Sequence, residues 1–366
     1  VVFGDAYRGR RVLVTGHTGF KGSWLCEWLL SVGAEVAGFS KDIPSRPSHF
    51  EAIGLSSRLR RDERGDVRDL AGLRDVFGAF QPEVVFHLAA QALVRDSYDD
   101  PKGTFDTNVG GTVNVLECLR SAPSVRSAVL VASDKCYENR EWEFGYRETD
   151  PLGGKDPYSA SKGAAEIVFA SYARSFFGDK GACCVASARA GNVIGGGDWA
   201  KDRIVPDLAR SWSAGTKAEI RSPKSTRPWQ HVLEPLGAYL WLGAELLRSP
   251  GGVAGESFNF GPGADSARTV SELIEELVKT WAGSGIFIDT SAVGHRKEAR
   301  LLHLSCDRAQ ARLSWLPTLV FAESGRMTAE WYRDYYATPT RARDLTARHL
   351  AEYQRLAAER GRAWAR

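Results

Sequence analysis

Short apolar runs rich in valine and alanine recur through the first half of the chain: "RVLVTG" from Arg11, "AEVAGFS" from Ala34, "PEVVFHLA" from Pro82, "SAVLVAS" from Ser127 and "ACCVASARA" from Ala182. Between them lie longer stretches with helical spacing of apolar positions, "GSWLCEWLLSVG", "LAGLRDVFGAF", "GTFDTNVGGTVNVLECLRS" and "SASKGAAEIVFASYARSFFG". Strands apolar on nearly every residue are buried on both faces, and their alternation with helices predicts a parallel sheet covered on each side. The glycine-rich "GNVIGGGDW" from Gly191 breaks the pattern. Beyond it strands are sparser and loops longer, with a helix predicted at "TVSELIEELVKTWAG". We therefore expect an α/β doubly wound sheet over residues 1–191, with 228–262 returning to it. Residues 192–227 and 263–366 are expected to form a smaller, partly interleaved lobe and a C-terminal helix. That helix, "RARDLTARHLAEYQRLAAERGRAWAR", is arginine-rich and places Leu345, Leu350, Tyr353, Leu356 and Trp364 roughly on one face. Its expected role is packing on the body or on another subunit.

One strand ends unusually. In "VLVASDKCYENR" the apolar run meets Ser133, Asp134 and Lys135 in consecutive positions. Neighbouring side chains on a strand point to opposite faces, so Asp134 and Lys135 can serve one site only if the backbone turns there. The carboxyl ends of strands are where open α/β sheets place their chemistry.

A second strand end carries glycines. "RVLVTGHTGFKGSWLCEWLL" sets Gly16, Gly19 and Gly22 between a strand and an amphipathic helix. The spacing is G-x-x-G-x-x-G, which gives a tight turn, close backbone approach to a pyrophosphate, and helix N–H groups aimed at it. The implied fold is Rossmann-type and the implied ligand a dinucleotide. Asp42, after the second strand, suits the ribose hydroxyls of NAD. Ser40, Lys41 and Arg46 nearby suit a 2′-phosphate, so NAD is favoured with NADP left open. Asp66 in "GDVRD" is a candidate acceptor for the adenine amine.

"YSASK" spaces Tyr158 and Lys162 by four, on one helical face. Lys162 is expected to lower the phenol's pKa so that Tyr158 takes a proton from an alcohol as its carbon loses hydride, with Ser133 bonded to the same oxygen. "YDDPK" offers the same spacing in Tyr98 and Lys102, but Pro101 between them disfavours a continuous helix.

Composition narrows the remaining classes. A net charge of +3 over 366 residues implies no polyanion, so no nucleic-acid partner is expected. Six cysteines without a C-x-x-C pair predict buried, reduced thiols and no metal site. No apolar run approaches membrane-spanning length, and the opening "VVFGDAYRGRR" lacks a signal-peptide core, so a soluble, cytoplasmic protein is expected.

Taken together, "GHTGFKG", "GDVRD", "HLAAQ", "SDKCY", "YSASK", "RAGNVIGGGDW" and "RPWQHV" resemble the extended short-chain dehydrogenase/reductases. More narrowly they resemble the 4,6-dehydratases that act on CDP-linked glucose, over about Arg10 to Pro317. The arginine-rich C-terminal helix has no match in that pattern. The resemblance implies oxidation of the glucose C4 by Tyr158 with NAD, loss of water across C5 and C6, and return of the hydride to C6. It implies Asp134 as the acid for the departing hydroxyl and Lys135 as the base for the C5 proton. Asp134 must then stay protonated near neutrality and Lys135 partly neutral, as burial would make them. It adds Thr18, Phe20, Val67, Leu88, Ala89 and Ala90, with Tyr158 and Lys162, to the cofactor contacts. Gln91, Arg95, Asn192, Arg203, Arg227, His231 and Arg300 become candidates for a CDP-sugar, with Arg296 a weaker one. His87 is expected to be a satisfied core histidine, and Asn108 a brace for the site's backbone. A homodimer or a dimer of dimers through the helices of "GTFDTNVGGTVNVLECLRS" and "SASKGAAEIVFASYARSFFG" is implied. Two rivals remain: an epimerase or decarboxylase on the same scaffold, which needs no acid–amine pair, and a non-catalytic dinucleotide sensor, which typically lacks the tyrosine or lysine.

Overall fold

The computed structural model describes residues 2–177, 183–263, 266–281, 287–290 and 302–366. Strands β1 (Arg11–Thr15), β2 (Glu35–Ser40), β3 (Arg61–Arg64), β4 (Val84–His87), β5 (Ser127–Ser133), β6 (Cys184–Ala190) and β7 (Ser257–Phe260) form one sheet. Its order is β7-β6-β5-β4-β1-β2-β3, and every pairing is parallel. The five strands expected from the apolar runs are all present. β3, "RDER", carries only charged residues and lies at an edge, where pairing needs one neighbour and no buried face.

Both faces of the sheet are covered, and alternation along each strand assigns the layers. On β1, Val12 and Val14 join one apolar layer while Leu13 joins the other. The layer of Leu13 packs α2 (Leu70–Phe80), α3 (Gly111–Ser121) and α4 (Pro157–Phe176), through Leu73, Leu116 and Phe169. The opposite layer packs α1 (Phe20–Ser31) and α6 (Leu233–Arg248), through Trp24, Trp28, Leu236 and Leu240. Helix α5 (Ile204–Ser213) and helix α7 (Val270–Thr280, opened by a Thr269–Glu272 capping box) belong to the chain after Gly191. So do α8 (Phe321–Ala337) and α9 (Ala342–Glu359).

The expected helix from Gly103 to Ser121 is interrupted. Pro101–Phe105 is α-helical, Asp106–Gly110 forms a π turn, and α3 follows. Asn108 sits in that turn, and such turns recur at functional sites. As expected, Pro101 separates Tyr98 from Lys102: one short helix ends at Asp99 and Asp100 caps the next.

The arginine-rich terminus is one helix only as far as Glu359. Gly361 then takes a left-handed φ of 65°, and Trp364 folds back in a separate turn to stack on Tyr353 with centroids 5.4 Å apart. Leu345, Leu350, Tyr353 and Trp364 are buried, so the apolar face packs on the body of the chain. Among the described residues no helix is long and apolar enough to cross a membrane. The six cysteines are unbridged, and no metal-binding cluster is found among the described residues.

Candidate active site

The sheet order reverses between β1 and β4, so their carboxyl ends open a crevice suited to a dinucleotide. Gly16 ends β1 with φ 77°, and a Cβ there would stand 2.7 Å from the Ala89 backbone nitrogen. A Cβ on Gly22 would stand 2.1 Å from the Gly16 carbonyl oxygen. Only glycine lets the turn, the start of α1 and the β4 loop approach this closely. Gly19 is the N-cap of α1, no side chain caps it, and the first turn carries no acid. Its free N–H groups and positive dipole end are thus available to a pyrophosphate.

The other cofactor candidates lie just past the carboxyl ends of β1 to β4. Thr18 Oγ1 donates to the Asp42 carbonyl at 2.6 Å, leaving the exposed Asp42 carboxylate free of that bond. Asp66 accepts the Arg68 backbone N–H at 3.0 Å and its guanidinium, and lies 3.8 Å from Lys41. The Arg68 bond, set against partial burial, holds its carboxyl below the usual range. Val67 is buried against Gly111, where a Cβ would meet its side chain at 2.7 Å. Phe20, Leu88, Ala89 and Ala90 are half-buried.

The turn that the sequence required after β5 is present. Ser133 is the N-cap of a single 3₁₀ turn, Asp134–Cys136, and its Oγ accepts the Lys135 N–H at 3.3 Å. The same hydroxyl donates to Asp134 Oδ1 at 2.9 Å. Asp134 is buried, and burial raises its pKa against the opposing pull of Lys135, Ser133 and Lys21. Gly191 leaves room beside it: a Cβ there would be 3.0 Å from Asp134 Oδ2. Lys135 is half-buried, less enclosed than its expected role asks.

Tyr158 and Lys162 lie in the first turns of α4, which Asp156 caps by accepting the Ser159 N–H at 2.9 Å. The Lys162 ammonium is 6.0 Å from the centroid of the Tyr158 ring. The Tyr158 backbone N–H donates to the buried Ser97 Oγ at 3.2 Å. Burial pushes the phenol up to about 12, with Ser133 and the charge of Arg203 acting against it. The lowering expected from Lys162 is thus supplied here by Ser133 and Arg203. Burial also pushes the Lys162 amine down to about 8, with Glu166 opposing.

Supporting groups surround this set. Asn108 accepts the Gln91 N–H at 2.8 Å and donates to the Gln91 carbonyl at 3.1 Å and to Ser161 Oγ at 2.8 Å. It braces the backbone, as expected. His87 is buried between Thr15 Oγ1 at 2.7 Å and Thr112 Oγ1 at 3.5 Å, as a satisfied core histidine.

The substrate candidates divide. Arg203, the N-cap of α5, pairs with buried Asp198 at 3.0 Å and lies close enough for its charge to act on Tyr158. Asn192 is half-buried just past β6. Arg227 lies on a short strand, Thr226–Pro228, and its guanidinium donates to the Thr226 carbonyl at 2.9 Å. The Gln91 side chain turns back on its own loop through Leu93, and Arg95 pairs with Asp202 at 2.7 Å. His231 corrects our expectation: its ring is fully enclosed, edge-on to Trp24, with Nδ1 accepting the Leu233 N–H at 3.3 Å. No atom of it is open to a ligand, because α1 covers it. Arg296 and Arg300 lie outside the described residues.

This geometry has counterparts among known proteins. The model of the NAD dependent epimerase/dehydratase family matches residues 12–261. The chain belongs to this family. CDP-glucose 4,6-dehydratase of Salmonella typhimurium is 45% identical over 331 residues, spanning 89% of this chain and 91% of that protein. UDP-glucose 4-epimerase of Mycolicibacterium smegmatis is 30% identical, spanning 88% and 99%. The solved structure of UDP-glucose 4-epimerase from Thermus thermophilus in complex with NAD superposes with a TM-score of 0.72 at 27% identity, covering 88% of this chain and 99% of that one.

For a member of an NAD-dependent family, the glycine cradle and the uncapped start of α1 are the features that fit the cofactor. The structure adds one group that sequence reasoning missed. Lys21, in the first turn of α1, stands 5.9 Å over the Tyr239 ring, near Arg203, Asp134 and Lys162. Burial, with help from the Arg203 charge, pushes its amine down to about 8. Nothing local marks it, since "GFKGS" reads as a turn and its partners arrive from four distant segments. The enclosed Tyr239 hydroxyl has no partner among the described residues and faces the same group of charges.

Proposed function

We propose that this chain is a sugar-nucleotide 4,6-dehydratase that converts CDP-glucose to the 4-keto-6-deoxy sugar. The observation that carries the reading is the buried Asp134 carboxyl, pushed toward its protonated form one residue from Ser133 and Lys135. An epimerase needs Ser133, Tyr158 and Lys162, but has no use for a buried carboxyl pushed toward protonation beside them.

NAD, which the Gly16, Gly19 and Gly22 turn and the start of α1 would hold, would supply the hydride acceptor for C4 and the hydride donor for C6. Tyr158 takes the C4 hydroxyl proton while Ser133 turns its one O–H from Asp134 to the same oxygen, a bond that a protonated Asp134 can release, and Ser133 and Arg203 favour the phenolate against burial. The C4 ketone acidifies the C5 proton, which Lys135 takes up. Asp134 gives its proton to the C6 hydroxyl, which departs as water, Lys135 gives its proton back at C5 as C6 is reduced, and the C4 hydroxyl proton left on Tyr158 replaces the one Asp134 gave up. Asp134 requires its raised pKa for this, as burial provides.

The cytidine preference rests on the Salmonella relative. Arg203 and Arg227 suit the diphosphate, because a guanidinium makes paired bonds to phosphate oxygens. Residues 1–191 with 228–262 would form the NAD lobe, and the remainder the sugar-nucleotide lobe. The same reading takes the protein as cytoplasmic and as a homodimer or dimer of dimers through α3 and α4; the exposed apolar side chains of α4, Ile167 at 60% and Phe176 at 49%, support the interface. Incubation with a panel of CDP-, dTDP-, GDP- and UDP-sugars tests the reading. A 4-keto-6-deoxy product from CDP-glucose is expected, and epimerised sugar without water loss would refute it.

A further inference from the structure

Asp202 combines two features that nothing in the assigned chemistry uses. Its backbone adopts a left-handed φ of 60°, a conformation that favours glycine. Its Oδ1 also bridges two arginines from different parts of the chain, Arg95 at 2.7 Å and Arg221 at 3.0 Å. Arg95 comes from the short helix after β4, two residues before the Ser97 that receives the Tyr158 N–H. Arg221 follows the Ala218–Ile220 strand, beyond α5. Asp202 itself directly precedes Arg203, whose charge reaches Tyr158.

We propose that Asp202 is a positioning residue: by binding Arg95 and Arg221 together it pins the strained turn that presents Arg203 to the hydride site, and so governs substrate capture. The turn is held at its other end as well, where Asp198 accepts the Ala200 N–H at 3.0 Å and its carbonyl takes the Tyr332 hydroxyl. Backbone strain persists where surrounding contacts over-determine it, and here those contacts come from both sides of the cleft. All three side chains keep substantial solvent exposure, 55% for Arg95, 44% for Asp202 and 30% for Arg221. Exposed pairs are individually weak and screened by salt. The latch therefore opens readily, and its removal should cost a few-fold in capture.

The kinetic arm of the test rests on the dehydratase reading; the structural arm does not. In the apoprotein, amide hydrogen exchange of residues 199–203 should quicken several-fold in Asp202→Asn and in Arg221→Gln, with the double variant no faster than either. With CDP-glucose, Asp202→Asn should raise KM about fivefold while single-turnover C4 oxidation at saturation keeps its rate. Asp202→Glu should recover part of the loss. Asp202→Gly, which relieves the left-handed backbone, should melt higher yet show the same KM rise. Exchange left unchanged, or effects that add in full in the double variant, would overturn the proposal. Failure of the wild type to turn over CDP-glucose would refute the assigned reaction, and the exchange arm would still decide the latch.

Discussion

The Ser133 hydroxyl donates to Asp134 at 2.9 Å while accepting the Lys135 N–H at 3.3 Å, so one small side chain both caps the turn and holds the acid. The same hydroxyl acts on Tyr158, opposing the rise that burial gives its phenol. Ser133→Ala should therefore slow C4 oxidation about 10²-fold, the scale of losing one donor to a reacting oxygen. It should also cost about 1 kcal/mol of stability for the lost cap. Rapid-mixing kinetics and urea unfolding measure the two effects separately. Oxidation at the wild-type rate would remove Ser133 from the chemistry.

Lys162 links activity to stability. Its folded pKa, about 8, lies below the ordinary value of 10.5. Burial thus disfavours the charged form, and the folded protein bears the full penalty below pH 8. As pH rises from about 8 toward 10.5 the penalty fades. Lys162→Met should then be more stable than the wild type at pH 7 by about 2–3 kcal/mol, with the gap closing near pH 10.5, and it should be inactive. Melting curves at the two pH values check this; a less stable variant at pH 7 would contradict it.

Gly22→Ala puts a methyl group 2.1 Å from the Gly16 carbonyl oxygen, a rigid backbone atom. The turn must open or α1 must shift. NAD binding followed by calorimetry should weaken by about 10²-fold or more, and the melting temperature should fall by several degrees. Retained affinity would show that the cradle does not hold the pyrophosphate.

Much of the site was legible because its signals are local. The glycine turn, the strand ending in Ser133-Asp134-Lys135 and the Tyr158–Lys162 spacing each lie within a few residues, and each stands where a strand meets a turn or helix. The same holds for the five apolar strands. The unread parts are non-local. β3 carries charge on every residue, so no hydrophobic period marks it. His231 reads as a polar ligand beside Arg227 and Trp229, yet α1 brings Trp24 over its ring. Lys21 gains meaning from Asp134 and Lys162, and Asp202 from Arg221 and the distant Arg95, partners that no local pattern brings together. The phenol of Tyr158 shows the limit of spacing arguments: helical register places Lys162 beside it, while burial dominates its pKa.

The division of labour at the end of β5 is best tested by rapid mixing of Lys135→Ala with CDP-glucose and NAD, following cofactor absorbance and product mass together. Reduced cofactor should accumulate, the sugar should keep its water, and deuterium from solvent should fail to enter C5. Dehydration at the wild-type rate would contradict the assignment and leave Lys135 outside the mechanism.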